Sequence, residues 1–123
     1  MKRDTDSKPT RYFSKKQEDK VAKNLGMKCT SNSGATSFDK GDVKDDYLLL
    51  ECKTCTKPQT SMSVKKEWLV GIKKEQYQMN KMLSGVVIDF GVNKDQYVIL
   101  TMEDFKQLYE LFKKGIIKNE RNH

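Results

Sequence analysis

The sequence predicts a single α/β (α+β) domain, in which a central mixed β-sheet is flanked by helices. Its 123 residues suit one domain. Segments with the apolar spacing of helices alternate with short apolar runs typical of strands. No internal repeat interrupts this order. We expect a flexible basic arm over residues 1–13, the folded domain over residues 14–114, and a short basic tail over residues 115–123.

The charge of the chain points to anionic partners. The formal net charge is +7 and the sequence pI is about 9.3. A small basic protein is a candidate for binding nucleic acid or an anionic membrane surface, although the charge can also serve solubility alone. The sequence contains no apolar run near the roughly 20 residues that span a bilayer. Its first ten residues lack the pattern of a signal peptide, so we expect a cytoplasmic protein that does not bind membranes.

A first helix is predicted over residues 14–26. Ser14 can cap its start, and Gly26 supplies a stop signal at its end. An apolar stripe follows at helical spacing, formed by Val21, Ala22 and Leu25. Glu18 falls on the same stripe, three and four residues before its first two members. A carboxylate at a core-facing position requires an explanation.

The middle of the chain predicts a β-hairpin. Residues 41–44 and 47–53 have the pattern of strands, and they would turn at Asp45 and Asp46. A short strand is predicted before them, over residues 27–30. Polar loops are expected over residues 31–41 and 54–63.

The second half of the chain predicts two helices and two strands. One helix is expected over residues 65–83, with Gln76 within its apolar stripe. Strands over residues 86–90 and 97–100 follow, joined by a turn over residues 93–95. Thr101 can cap a last helix. The apolar stripe of that helix comprises Phe105, Leu108, Leu111 and Phe112.

The end of the predicted strand 47–53 carries an acid and an amine. Glu51 and Lys53 share one face of the strand because side chains alternate between faces. Leu49 on the same face indicates burial, so the charges need a partner or a metal ion. Asp42, across the hairpin, can approach Glu51, and two adjacent carboxylates favour a bound cation. Their oxygen atoms suit Mg²⁺ or Mn²⁺. With Lys53 positioning a water, the set fits hydrolysis of a phosphodiester.

Two polar residues on helix stripes extend this hypothesis. Glu18 and Gln76 lie on the core-facing stripes of two different helices. Either one alone is more often a hydrogen-bonded interior residue. Together with the residues at the strand end, they predict a polar pocket between two helices and the edge of a sheet.

The cysteines do not predict a metal or redox site. Cys52 and Cys55 form a C-x-x-C pair, but Cys29 and the terminal His123 are the only further soft ligands. A thioredoxin-like motif would open a helix, whereas a polar loop is expected after this pair. Three cysteines fit a reducing compartment.

The order of these motifs resembles the PD-(D/E)XK nuclease superfamily. Glu18 in the first helix is followed by Gly41-Asp42 and then by Glu51-Cys52-Lys53. The resemblance is greatest to the small Holliday-junction resolvases of archaea and phages. It spans roughly residues 17–90 and includes "SGA" at 33–35, "KGD" at 40–42, "LLLECK" at 48–53 and "SVKKEWL" at 63–69. Gly41 stands where the family pattern has Pro.

The resemblance implies a restriction-endonuclease-like fold and a metal-dependent active site. By that resemblance, Asp42 and Glu51 would bind Mg²⁺ or Mn²⁺ with the carbonyl group of Cys52. Glu18 would complete the metal shell, and Lys53 would orient the attacking water. Gln76 matches loosely a helix glutamine of some relatives, and Ser33 would lie near the scissile phosphate.

The expected function is that of a structure-selective DNA endonuclease that resolves four-way junctions. The alternatives are a PD-(D/E)XK nuclease of another specificity (nicking, restriction or repair) and a basic nucleic-acid-binding module without catalysis. Basic residues would hold DNA through its phosphates, without reading base edges. The residues expected to contact DNA are Arg3, Arg11, Lys15, Ser33, Lys65 and Lys66.

Symmetry adds an expectation about assembly. A four-way junction has approximate two-fold symmetry, so a homodimer would present two active sites to it. The candidate interface segments are the strands over residues 86–90 and 97–100 and the apolar face of the last helix, which could also belong to the core. The compartment would be the cytoplasm of a bacterial, archaeal or phage-infected host cell.

Overall fold

A computed structural model of the chain describes residues 10–27, 42–91 and 93–121. It contains a four-stranded mixed sheet flanked by helices, which confirms the predicted α/β class. In chain order the elements are α1 (Thr10–Leu25), β1 (Asp42–Lys44), β2 (Leu48–Lys53), α2 (Lys66–Gln78), β3 (Leu83–Asp89), β4 (Gln96–Ile99) and α3 (Met102–Arg121). The possible strand over residues 27–30 lies almost wholly outside the described residues.

The strands lie in the order β1-β2-β3-β4. Strands β1 and β2 are antiparallel, β2 and β3 are parallel, and β3 and β4 are antiparallel. Helix α2 connects the two parallel strands. Such a connection brings the carboxyl ends of β2 and β3 to the same edge of the sheet.

The predicted hairpin is confirmed, and a single carboxylate shapes its turn. One oxygen of Asp45 accepts the backbone N–H groups of Tyr47 at 2.9 Å and Leu48 at 2.8 Å. These two donors hold the pKa of Asp45 below its ordinary value. The turn fixes the register of β1 on β2, and so decides which residues lie opposite each other.

The core has two parts, one on each face of the sheet. Val21 and Ala22 of α1 pack with Leu50, Cys52 and Val87. Ile72 of α2 packs with Leu49, Val86 and Ile88 on the other face. Alternate residues of β2 and β3 therefore point to α1 and to α2. Glu51 and Lys53 belong to the face that α2 covers.

Helix α1 begins earlier than the sequence predicts. It starts at Thr10, four residues before the expected boundary, and Phe13 is buried. Residues 10–13 therefore belong to the folded domain and not to the basic arm. The end of the helix is as expected. Gly26 has a φ of 68°, and the N–H of Met27 bonds to the carbonyl of Ala22 at 2.8 Å.

Helix α2 ends at Gln78, and the prediction that it continues to residue 83 is wrong. Asn80 adopts a φ of 56° and stops the helix. The N–H of Lys81 then bonds to the carbonyl of Gln76 at 2.9 Å. Leu83 begins β3, opposite Leu48 of β2, although it continues the apolar spacing of the helix. The strand predicted over residues 86–90 thus starts three residues earlier.

Helix α3 begins where predicted but runs further, to Arg121. The hydroxyl oxygen of Thr101 accepts the N–H of Asp104 at 3.2 Å, which confirms the predicted cap. The apolar face is exposed and does not form core: Phe105 is 53% and Phe112 is 63% accessible. The carboxylate of Asp104, which is buried, joins the start of the helix to the body through an ion pair with Lys73.

Candidate active site

An ion pair lies at the carboxyl end of β2. The ammonium group of Lys53 is 3.3 Å from a carboxylate oxygen of Glu51. The two side chains retain 35% and 18% of their accessible surface, respectively. They are therefore sheltered but still open to solvent. The carboxyl ends of parallel strands are where α/β sheets commonly bind their ligands.

The side chain of Trp68 forms one wall beside this pair. The Lys53 ammonium lies 5.0 Å from the centre of the indole ring, within the range of a cation–π interaction. Trp68 lies in the first turn of α2, where its backbone N–H donates to the carbonyl of Lys65 at 3.0 Å. The start of α2 therefore positions both the indole ring and the amine.

The register of the hairpin brings a second acidic residue to the same place. Asp42 of β1 is the direct cross-strand partner of Glu51, as the sequence predicts. Side chains directly opposite each other in an antiparallel pair lie on one face, with their Cβ atoms about 4.5–5.5 Å apart. By this register Asp42 belongs to the same strand face as Glu51 and Lys53, and its side chain lies outside the described part of the chain.

Cys52 lies between Glu51 and Lys53 but faces the other way. Its thiol is buried in the cluster beneath α1. The thiol is thus separated from Glu51 by the sheet, and only the backbone of Cys52 is near the ion pair. Cys55, after the strand, is also buried and free. Burial raises the pKa of the Cys55 thiol, and the negative charge of Asp89 raises it further.

Gln76 is an interior residue of the scaffold. Its side-chain oxygen accepts hydrogen bonds from Ser84 at 2.7 Å and Lys73 at 2.8 Å, and its amide donates to the carbonyl of Lys81 at 3.1 Å. Gln76 lies in the last turn of α2 and Trp68 in the first, so about 12 Å of helix separates them. The predicted pocket does not bring Gln76 to the Glu51–Lys53 pair.

The buried polar residue of α1 is Gln17, whereas Glu18 is half-buried. Gln17 is 3% accessible, and its amide donates to the carbonyl of Lys53 at 2.7 Å. Helix α1 thus contacts the end of β2 from the opposite face. Sequence reasoning singled out Glu18 on this helix and passed over Gln17. Its spacing of four residues from both Phe13 and Val21 is the signal that could have identified it.

Sequence reasoning also missed two buried carboxylates. Asp89 and Asp104 are 3% and 2% accessible. Asp104 pairs with Lys73 and joins α3 to α2. Asp89, at the end of β3, accepts the hydroxyl of Thr54 at 2.5 Å. The signal that could have identified Asp89 is its position, because it is a carboxylate at the end of a buried strand, directly before a turn.

The predicted DNA-contacting residues are divided between the two faces. Lys65 and Lys66 are exposed at the start of α2, three and two residues before Trp68. Lys15 lies on α1, beyond the other face, and its ammonium is 3.6 Å from Asp19. The positions of Arg3 and Ser33, and the side chain of Arg11, lie outside the described parts of the chain.

The predicted metal ligands fit a hard cation only in part. Among the side chains that the structure describes, which do not include that of Asp42, no group of three His, Cys, Asp or Glu is close enough to hold a metal ion. The oxygen chemistry of Glu51 and its cross-strand neighbour Asp42 does suit Mg²⁺ or Mn²⁺.

Comparisons with protein-family models, curated proteins and solved structures gave no match. In the described residues, no helix is both long and apolar enough to cross a lipid bilayer.

Proposed function

We propose that this chain is a metal-dependent DNA endonuclease that cleaves branched DNA, most specifically four-way junctions. The observation that supports this proposal is the Glu51–Lys53 ion pair at the end of β2, with Asp42 directly opposite Glu51 in the hairpin. An acid–x–lysine pair beside a second carboxylate is the arrangement expected of the PD-(D/E)XK superfamily that the sequence resembles.

In this proposal Asp42 and Glu51 would hold a Mg²⁺ or Mn²⁺ ion together with the Cys52 carbonyl group. Glu18 would reach the metal shell past the end of β2, because α1 packs on the opposite face of the sheet. The ion would lower the pKa of a bound water and neutralise charge on the phosphate. Lys53 is held by Glu51 and by the Trp68 ring. Its ammonium would orient the attacking water and stabilise the developing negative charge on the phosphate oxygens.

The start of α2 supplies a path for the DNA backbone. Lys65 and Lys66 are exposed beside Trp68, which contacts Lys53. Lysines bind phosphates without reading sequence, as a nuclease selective for DNA shape requires. Arg3, Arg11, Lys15 and Ser33 would make further backbone contacts in the same way.

The proposed enzyme is a homodimer joined through α3. The apolar face of this helix comprises Met102, Phe105, Leu108, Tyr109, Phe112 and Ile116, all of them exposed in the single chain. Exposed apolar patches of this kind mark interaction sites. Of the four residues in the stripe predicted from sequence, Leu111 alone falls beside this face, and the face also includes Met102, Tyr109 and Ile116. A two-fold pair would give two active sites for the two cuts that a junction requires.

Of the other interface segments, β3 is unsuitable and β4 remains a candidate. Strand β3 is an interior strand, and the side chains of Ser84 to Asp89 are buried. Strand β4 is the edge strand, and Tyr97 and Val98 are each about half exposed.

One observation favours a second function, that of a basic nucleic-acid-binding module without catalysis. Glu51 is already paired with Lys53, and partly exposed pairs of this kind are common surface salt bridges. Incubation of the protein with a supercoiled plasmid that has an extruded cruciform, which contains a four-way junction, in Mg²⁺, in Ca²⁺ or in EDTA separates the two functions. A nuclease nicks the plasmid in Mg²⁺ alone, whereas a binding module shifts its mobility in all three and leaves it intact.

A further inference from the structure

A second cleft lies on the other face of the sheet, beneath α1. Its volume is about 380 Å³. It is lined by Phe13, Lys16, Gln17, Asp19, Lys20, Lys23, Thr54, Asp89 and Asn93. The Glu51–Lys53 pair faces α2, so the sheet separates it from this cleft. The proposed nuclease chemistry uses none of the lining residues.

Gln17 lines this cleft and carries a buried acceptor that the fold leaves unused. Its amide nitrogen donates to the carbonyl groups of Lys53 at 2.7 Å and Val87 at 3.4 Å. These two acceptors fix the orientation of the amide. The side-chain oxygen is buried and has no hydrogen-bond partner among the described residues. A buried acceptor without a partner costs stability, which a ligand carrying an N–H group would recover.

Asp89 adds a second, fixed acceptor group. Its residue is 3% accessible. One carboxylate oxygen accepts the Thr54 hydroxyl at 2.5 Å and the N–H of Gly91 at 3.3 Å. These bonds hold the carboxylate in place at the end of β3. The interior of the cleft therefore selects hydrogen-bond donors.

The rim of the cleft favours a negatively charged group. Lys16, Lys20 and Lys23 follow one another at spacings of four and three residues, so they share one side of α1. Lys20 is held by the carbonyl of Lys94 at 2.6 Å. Asp19 also lines the cleft, and its charge is offset by Lys15 at 3.6 Å. Three ammonium groups disfavour a metal cation and favour an anion.

We propose that this cleft binds one nucleotide unit. The N–H groups of its base bond to Asp89 and, once a small movement of the cleft wall exposes it, to the Gln17 side-chain oxygen, and its phosphate contacts the lysines of the rim. Phe13 supplies an apolar surface for the base. The volume falls in the range of small-molecule sites, about 300–1,000 Å³. The nucleotide can be free or can be an unpaired nucleotide of DNA, because both offer the same groups.

Calorimetric titration of the full chain in EDTA tests this proposal. Guanosine 5′-monophosphate is the probe, since its base carries two kinds of N–H donor. We expect saturable binding with a Kd below about 1 mM, and at least about tenfold weaker binding of ribose 5-phosphate, which lacks the base. Absence of saturation, or equal affinity for the two compounds, would overturn the proposal.

Paired variants test the site itself. The double variant K16Q/K23Q removes two rim charges and should weaken nucleotide binding at least about tenfold. K74Q/K118Q removes two exposed lysines elsewhere and should leave the affinity unchanged. Equal losses in the two proteins would indicate unspecific attraction and contradict the assignment. Glu51→Gln should bind the nucleotide normally, so loss of nuclease activity and loss of this site are separable.

Competition identifies the source of the nucleotide. A blunt duplex and the same duplex with one unpaired 5′ guanosine nucleotide compete against the bound monophosphate. Stronger displacement by the second duplex supports an unpaired nucleotide of DNA as the ligand. Equal displacement by the two duplexes supports the free nucleotide. Displacement by neither duplex also supports the free nucleotide.

Discussion

The ammonium group of Lys53 lies 3.3 Å from Glu51 and 5.0 Å from the ring centre of Trp68. One contact is supplied by the strand that carries the lysine, and the other by the helix that covers it. A long, flexible amine is thereby restricted to a small region at the end of β2. A group restricted in this way can act on a water or a phosphate without first having to reorganise.

Removal of either carboxylate should abolish cleavage. Asp42→Asn and Glu51→Gln keep the side-chain shape but weaken metal binding, so we expect a loss of at least about 100-fold in rate, or about 2.7 kcal/mol. Single-turnover cleavage in Mg²⁺ measures this. Asp46→Asn, in the exposed turn of the same hairpin, is the control and should cleave normally. Wild-type rates in both active-site variants would show that these carboxylates are not the site.

Glu18→Gln tests whether α1 takes part in catalysis. The change is nearly isosteric, so a purely structural residue would give normal turnover and a modest change in melting temperature. We expect at least a tenfold loss of rate, about 1.4 kcal/mol of transition-state stabilisation. The next residue provides the control, since Asp19→Asn should retain the rate. Normal turnover together with a lower melting temperature in Glu18→Gln would assign the residue to the scaffold.

Gln76→Ala should reduce stability and leave the chemical step intact. The substitution removes the partner of Ser84 and of Lys81 inside the fold, which costs about 1–3 kcal/mol. Gln78→Ala, two residues along the same helix and exposed, should change the free energy of unfolding by less than about 0.5 kcal/mol. Urea unfolding measures both. A selective loss of cleavage rate in a fully folded Gln76→Ala protein would return this residue to the active site.

Two neighbouring residues of α3 test the proposed dimer. Leu111 and Phe112 are each 63% accessible. They point about 100° apart around the helix, and only Phe112 lies on the apolar face. Phe112→Asp should shift the protein from dimer to monomer in sedimentation velocity, whereas Leu111→Asp should not. A wild-type monomer at micromolar concentration would contradict the dimer directly.

Local signals in the sequence predicted much of this fold. Thr101 was recognised as a cap, Gly26 as a stop and the aspartates at 45 and 46 as a turn, because each acts on backbone groups a few residues away. Asn80 escaped recognition because asparagine adopts a positive φ only in certain contexts, and Leu83 continued the helical spacing by coincidence. The predicted helix α2 was therefore extended to residue 83, beyond its end at Gln78.

The site was predictable where it depended on strand alternation and register. Glu51, Lys53 and the opposition of Asp42 follow from the hairpin alone. The contacts of Trp68 with Lys53 and of Gln17 with the end of β2 depend on how two helices pack on opposite faces. That packing brings together residues that are far apart in sequence. The periodicity of the sequence does not indicate which of them will be in contact. For the same reason, the sequence could not show whether the apolar face of α3 is exposed or buried.

Cleavage of a labelled four-way junction, compared with a linear duplex of matching sequence, tests the central claim most directly. Each DNA is incubated with the purified chain in Mg²⁺ or in EDTA, with Glu51→Gln in parallel. We predict paired, symmetric cuts in the junction in Mg²⁺ only, little cutting of the duplex, and none by the variant. Binding of both DNAs without cleavage in Mg²⁺ would contradict the nuclease proposal. Equal cutting of junction and duplex would contradict selectivity for four-way junctions.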